Sequence, residues 1–178
     1  FLGGCAAGKW MMKAEYIEAS TTAGEFVAEE PYEWGAEYED DDATVEHSDT
    51  AVLALCGRRW RKYLATRRRA GGDANIGPFT GWKVALSFDE HKRGGIKRLL
   101  EAGNASVHDG ALTRRVTDSL THVFFGPTSN AAELRRLPSH IKVLSMEYIA
   151  DYLTAVPGLG ELEVDEDFHA LSPEGEDE

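Results

Sequence analysis

From Phe79 onward the chain alternates short apolar runs with helical apolar faces, and this alternation limits the possible folds more than any other feature. Residues 82–88 alternate as a β-strand does, and Ile96, Leu99 and Leu100 share one face of a helix ending at Gly103-Asn104. Residues 105–108 and 121–125 read as two further strands, the second closed by Gly126-Pro127. Asn130 is placed to cap a short helix through Arg136. Residues 141–144 form a fourth strand, and Ser145 is placed to cap a helix over residues 146–153. The order β-α-β-β-α-β-α within about 75 residues predicts an α/β fold with a largely parallel sheet covered on both faces.

The front of the chain resembles the end of that unit. Residues 1–7 lack a capping residue ahead of them and read as the last turns of a helix, with Gly8 supplying a left-handed stop. Trp10-Met11-Met12 is a strand candidate. A helix follows over residues 15–22, carrying Tyr16-Ile17 and terminated by Gly24. The same sequence of features recurs in Ile141-Lys142-Val143-Leu144 followed by Tyr148-Ile149, which implies tandem copies of one module, the first entered partway. The chain is therefore read as a fragment: residues 1–35 from a first copy, 36–78 an acidic linker and connecting helix, 79–158 a complete second copy and 159–178 an acidic tail. The linker reading begins at Glu29. The connecting helix runs from Ser48 or Asp49 through Leu64, with Val52, Leu53, Leu55, Cys56, Trp60, Tyr63 and Leu64 as its apolar stripe.

Charge divides along the same boundaries. Residues 1–46 carry 2 basic and 12 acidic side chains, and residues 161–178 carry no basic and 9 acidic ones, within a chain of net charge −12. Blocks of like charge read as solvated linker and tail, and they oppose general binding to a phosphate backbone. The basic run Arg58-Arg59, Arg61-Lys62 and Arg67-Arg68-Arg69 reads as a solvated helix face and end. No apolar run is long enough for a membrane helix, and no secretory signal is legible. Cys5 and Cys56 stand in unrelated contexts, which argues against a disulfide framework or a zinc site and for a reducing compartment.

The motifs Gly8-Lys9-Trp10 with Tyr16-Ile17 and Ser20, Gly103 with Ala105-Ser106-Val107, Thr121-His122-Val123, and Val143-Leu144-Ser145 ahead of Tyr148-Ile149 resemble the BRCT family in order and spacing. Tyr16 and Tyr148 depart from it, standing where the family most often has Trp. Within the family the chain looks most like the C-terminal repeat pair of a many-repeat replication and checkpoint scaffold, on Ala6-Ala7-Gly8-Lys9-Trp10, Glu29-Glu30-Pro31-Tyr32-Glu33-Trp34-Gly35, Arg58-Arg59-Trp60 and Gly81-Trp82-Lys83-Val84. The resemblance implies a BRCT fold, one partial and one complete repeat, in a nuclear protein. It also implies a non-enzymatic module that recognises phosphorylated Ser or Thr peptides of DNA-repair and checkpoint partners, with no cofactor, metal or small-molecule substrate.

In such pairs a helix of the first repeat packs on two helices of the second, and a partner side chain enters the groove between them. Carried onto this sequence, the phosphate-holding groups fall ahead of Phe1, and the groove residues are Phe1, Leu2, His91, Lys92 and Arg93. The alternative is a module that contacts DNA ends or poly(ADP-ribose) through residues 58–69 and Lys92-Arg93, as an appendage of a repair enzyme. No phosphate-binding loop, nucleophile elbow or metal-ligand spacing accompanies these residues. His91, His108, His122, His140 and His169 are scattered; His122 is expected to be a hydrogen-bonded structural side chain, and Ser20 and Ser145 to serve in capping or packing.

Overall fold

A computed structural model describes residues 1–38, 49–71, 74–88, 90–155 and 157. In chain order its elements are α1 (Leu2–Ala6), α2 (Glu15–Ala23), a 3₁₀ turn (Glu30–Tyr32), α3 (Asp49–Arg69), β1 (Lys83–Ser87), α4 (Glu90–Ala102), β2 (Ser106–His108), α5 (Arg114–Thr117), β3 (His122–Phe125), α6 (Ala131–Leu134), β4 (Lys142–Ser145) and α7 (Glu147–Thr154). The four strands form one sheet in the order β2-β1-β3-β4, and every pairing is parallel. Each expected strand of residues 79–155 is present. The helix α5 was not anticipated, because Val116 is its one apolar residue and leaves no periodicity to read.

Two apolar layers sandwich the sheet. On one face Val84, Leu86, Phe124 and Leu144 join Leu100 of α4, Tyr148, Ile149 and Leu153 of α7, and Cys56, Trp60 and Leu64 of α3 in a single core. On the other, Ala85, Val123, Leu120, Leu134 and Ile141 form a smaller one. The alternation along β1 and β3 sends successive side chains to opposite layers. Gly103 is fixed by close approach: a Cβ there would lie 2.3 Å from the ring of fully buried Phe79, whose amide donates to the Gly103 carbonyl at 2.9 Å.

Several details differ from expectation. Ser145 does not cap α7; it stays in the ladder beside Phe125, and the Met146 amide still donates to the Phe125 carbonyl, so strand passes directly into helix. Asn130 does cap α6, its side chain accepting from the Ala132 amide. Helix α3 continues past Leu64 to Arg69, and Leu53 lies toward solvent while Ala51 and Ala54 take the inner face. Ser48, one of its two cap candidates, the acidic tail and His169 lie outside the described residues, as does the centre of the linker.

The front segment differs most. Gly8 and Gly24 adopt the left-handed conformation expected of them. Residues 10–12, however, form no strand of a parallel sheet; Met12 makes a single antiparallel bridge to Glu33. The counterparts of the buried pair Tyr148 and Ile149 are a half-buried Tyr16 and an Ile17 that is 69% exposed. Among the described residues, no parallel neighbour strands lie beside this segment to bury them.

Candidate interaction site

The expected seam is built from small residues. Helix α1 reads Leu-Gly-Gly-Cys-Ala, and its lack of bulk lets it lie against α4, α3 and α7 at once. Cys5 and Ala6 are fully buried, and Leu2, like Ile96 and Leu99 of α4, packs against the main core that holds Leu100. One short helix thus rests on two helices of the sheet-bearing unit and on the connecting helix. Cys5 and Cys56, distant in sequence, meet here: both thiols are free and buried, and each shifts the ionisation of the other. That contact, together with burial, holds the Cys56 thiol well above its ordinary range, while the same contact lowers that of Cys5.

Helix α3 closes the seam from behind. Both the Trp60 indole (2.7 Å) and the Cys56 thiol (2.9 Å) donate to the carbonyl of Leu153 in the last turn of α7, where helix carbonyls lack an internal partner. Tyr152 links this cluster to the rings of Phe79 and Trp82, with centroids 5.8 and 5.1 Å away.

A second tie holds the front segment. Glu33, read as part of an acidic linker, is 1% exposed and paired bidentately with Arg61, Nε to Oε1 at 2.6 Å and Nη2 to Oε2 at 2.7 Å. The Arg61 guanidinium also lies 3.4 Å above the Trp10 ring, and Arg58 donates to the Gly35 carbonyl at 3.2 Å. Glu33 and Trp34 are placed by the exchange between residues 11–13 and 32–34, Lys13 N to Tyr32 O and Trp34 N to Met11 O. The linker reading is corrected accordingly: its first residues are a structural clasp. The basic-face reading is corrected in part, since Lys62, Arg67 and Arg69 are exposed. Arg58 and Arg61 point inward, Arg68 donates to the Ile76 carbonyl, and Arg67 lies over Tyr63. A lone Glu among many carries no mark of burial in a sequence, so neither Glu33 nor its Arg could be singled out.

The five groove candidates differ in their surroundings. Phe1 caps α1 and is 49% exposed, its ring meeting Trp34 edge-on at 5.2 Å. Leu2 belongs to the core behind it. His91 and Lys92 are exposed in the first turn of α4. Arg93 is turned toward the sheet, donating to the Phe88 carbonyl at 3.0 Å. It lines a cavity of about 430 Å³ at the C-terminal ends of β1 and β2, with Ser87, Glu90, His108, Ser129, Asn130 and Glu133. Crevices at strand C-termini are where parallel sheets commonly take ligands. Here the polar groups are largely occupied: the Ser129 hydroxyl bonds to the Ser87 carbonyl and accepts from the Gly126 amide, tying two loops together.

One hydroxyl–imidazole contact has the form of an activated nucleophile, Thr121 Oγ1 to His122 Nδ1 at 2.7 Å. Its surroundings give it a structural role. The Thr121 hydroxyl also accepts from the Lys83 amide, and His122 is 3% exposed and stacked on Trp82 at 4.1 Å. Burial, and secondarily the Lys142 charge, lower the His122 pKa to about 4. Ser20 accepts weakly from the Val27 amide. No cluster of three or more metal-ligating side chains occurs among the described residues, and no helix there is long and apolar enough to cross a membrane.

Comparison with known proteins agrees with this geometry. Residues 76–159 match the family described as TopBP1/SLF1, BRCT domain. The chain is 32% identical over 175 residues to the SMC5-SMC6 complex localization factor protein 1 of Mus musculus, covering 97% of this chain and 15% of that protein. It is 32% identical over 154 residues to the Homo sapiens protein of that name, covering 86% and 13%. The chain therefore spans only a small part of the length of these relatives. With the four-stranded parallel sheet and its flanking helices in place, residues 76–159 form a BRCT domain of the TopBP1/SLF1 family.

Proposed function

We propose that this chain is a protein-interaction module of a nuclear scaffold in DNA-damage signalling and replication, without catalytic activity of its own. Within the longer protein, it helps to recognise partners phosphorylated on Ser or Thr. The observation that carries this reading is the packing of α1 against both α4 and α7, a helical seam of the kind paired BRCT repeats use to hold a peptide. Residues 1–35 would then be the closing part of a first repeat, and the finer likeness is to the C-terminal pair of the DNA topoisomerase II-binding protein. The relatives' name, a localization factor for the SMC5-SMC6 complex, fits a protein that recruits rather than transforms.

In this reading the phosphate-holding groups are contributed by residues ahead of Phe1. Phe1 offers the apolar wall of the groove, backed by Trp34, and His91 and Lys92 offer exposed polar contacts at the mouth of α4. Arg93, turned toward Phe88, supports the start of α4. The test is a titration of a longer protein, with the residues that precede Phe1, against one peptide in phosphorylated and unphosphorylated forms. Selective binding of the phosphorylated form supports the reading, and equal affinities defeat it.

A further inference from the structure

We propose that the groove between α5 and α6 is a docking site for an acidic peptide segment of a partner protein, one in which carboxylates flank an apolar side chain. The groove encloses about 740 Å³ and lies between Arg114 and Arg136, with Leu112, Leu137 and Pro138 among its lining. Leu112 is 40% exposed, a large apolar side chain left in water beside two guanidinium groups. Arg115 and Arg135, adjacent in sequence, are exposed as well.

These arginines differ from several others in what they do. Arg58, Arg61, Arg67, Arg68 and Arg93 are each engaged with a carbonyl, a carboxylate or a ring. Among the described residues, the guanidinium groups of Arg114, Arg115, Arg135 and Arg136 have no hydrogen bond, ion pair or ring contact. Guanidinium groups left unpaired around an apolar floor suit bidentate binding of carboxylates on either side of a buried aliphatic or aromatic side chain.

The same lining selects among anions. Asp118 and Glu133 also face the groove, so its positive charge is confined to the Arg114 and Arg136 ends, which suits carboxylates spaced along a peptide better than a continuous polyphosphate. Among the described residues, no aromatic ring lines the groove to stack on bases. The site lies on α5 and α6, apart from the seam formed by α1, α4 and α7, so loss of either one leaves the other to be tested separately.

Fluorescence anisotropy on the 178-residue chain tests this, using as probe a fluorescein-labelled peptide of alternating Asp or Glu with Leu or Phe. The chain binds the probe, and binding weakens as NaCl is raised. The double reversal Arg114→Glu with Arg136→Glu lowers affinity by about tenfold or more, while Arg98→Glu, an exposed arginine of α4, leaves it unchanged. Should the double reversal fail to fold by circular dichroism, Arg114→Gln and Arg136→Gln singly each lower affinity about threefold. Absence of binding, equal affinity for the parent and the Arg114 and Arg136 variants, or tighter binding of an oligothymidylate than of the peptide overturns the proposal.

Discussion

The indole nitrogen of Trp60 donates to the carbonyl of Leu153 at 2.7 Å, joining the connecting helix to the last turn of the C-terminal helix across 93 residues of sequence. Trp60 is 3% exposed and Leu153 fully buried, so this bond lies in the same core that holds Cys5 and Ala6. Replacing Trp60 by Phe removes the donor but keeps most of the ring, and the Cys56 thiol still serves the carbonyl. The expected loss is about 1 to 2 kcal/mol. Trp60→Ala also opens a cavity and costs about 3 to 5 kcal/mol. Chemical denaturation of both variants checks the order, and equal losses would mean that the ring contributes nothing beyond its hydrogen bond.

The Glu33–Arg61 clasp predicts an asymmetry. Glu33→Ala leaves the Arg61 guanidinium, 15% exposed, beside an empty site and costs about 3 kcal/mol. Replacing both Glu33 and Arg61 by Met removes their pairing but leaves Arg58, whose Nε lies 3.7 Å from Glu33 Oε2, without its carboxylate, so only part of that loss is recovered. Urea unfolding of the single and double variants measures it. A double variant no more stable than Glu33→Ala would show that the carboxylate holds the front segment by something other than its pairing.

Much of this fold was legible because strands and helices each carry a period. The four strands of the sheet have enough alternating apolar residues to be read, and the Gly103 turn is marked by its glycine and by Asn104, which takes a φ of 69°. The front segment was less legible for a physical reason: Trp10-Met11-Met12 has the composition of a strand, but a strand forms only where neighbours accept its hydrogen bonds, and here Met12 finds only Glu33. The candidate site was legible in its helices rather than its side chains. The resemblance anticipated α1 on two helices of the sheet-bearing unit; it could not show that Arg93 turns to Phe88 or that Phe1 meets Trp34, since both contacts depend on loops without periodicity.

Gly103 admits no side chain. Its ideal Cβ position is 2.3 Å from one atom of the Phe79 ring and 3.2 Å from Pro78, and both neighbours are buried. Gly103→Ala therefore displaces Phe79 from its tilted contact with Trp82, whose centroid is 4.9 Å away. The cost is about 1 to 3 kcal/mol, as for overpacking elsewhere in cores. A thermal melt reads the loss, and the near-ultraviolet dichroism of Trp82 reads the displacement. An unchanged melting temperature would mean that the turn opens freely.

The thiol pair makes a chemical prediction. Cys5 and Cys56 are both fully buried, and Cys56, which donates to the Leu153 carbonyl, is held in its protonated form. In the native chain at neutral pH neither reacts with a thiol-exchange dye within minutes, and both react once guanidinium unfolds it. Rapid native labelling at Cys5 would show that α1 leaves the seam readily, which would weaken the case for a stable helical contact there.

His122 gives the fold a pH dependence whose sign can be worked out. Its pKa in the folded chain is about 4, against 6.5 for an unhindered imidazole, because burial beside Trp82 penalises the charged form. Above pH 6.5 both folded and unfolded states hold it neutral, and its contribution is fully present. Between 6.5 and about 4 the unfolded chain takes up a proton that the folded chain refuses, so stability falls as the pH is lowered; below about 4 the loss levels off at about 3 kcal/mol. Carboxylates such as Asp109, held low by Lys97, contribute losses of their own toward the acid end. The His122 share is therefore isolated by comparison with His122→Phe, which retains a ring against Trp82 but cannot titrate. Measured by urea unfolding at intervals from pH 7.5 to 4, the parent loses stability relative to this variant across the window. Parallel profiles for the two proteins would place a solvated, chargeable imidazole at this position and refute the buried one.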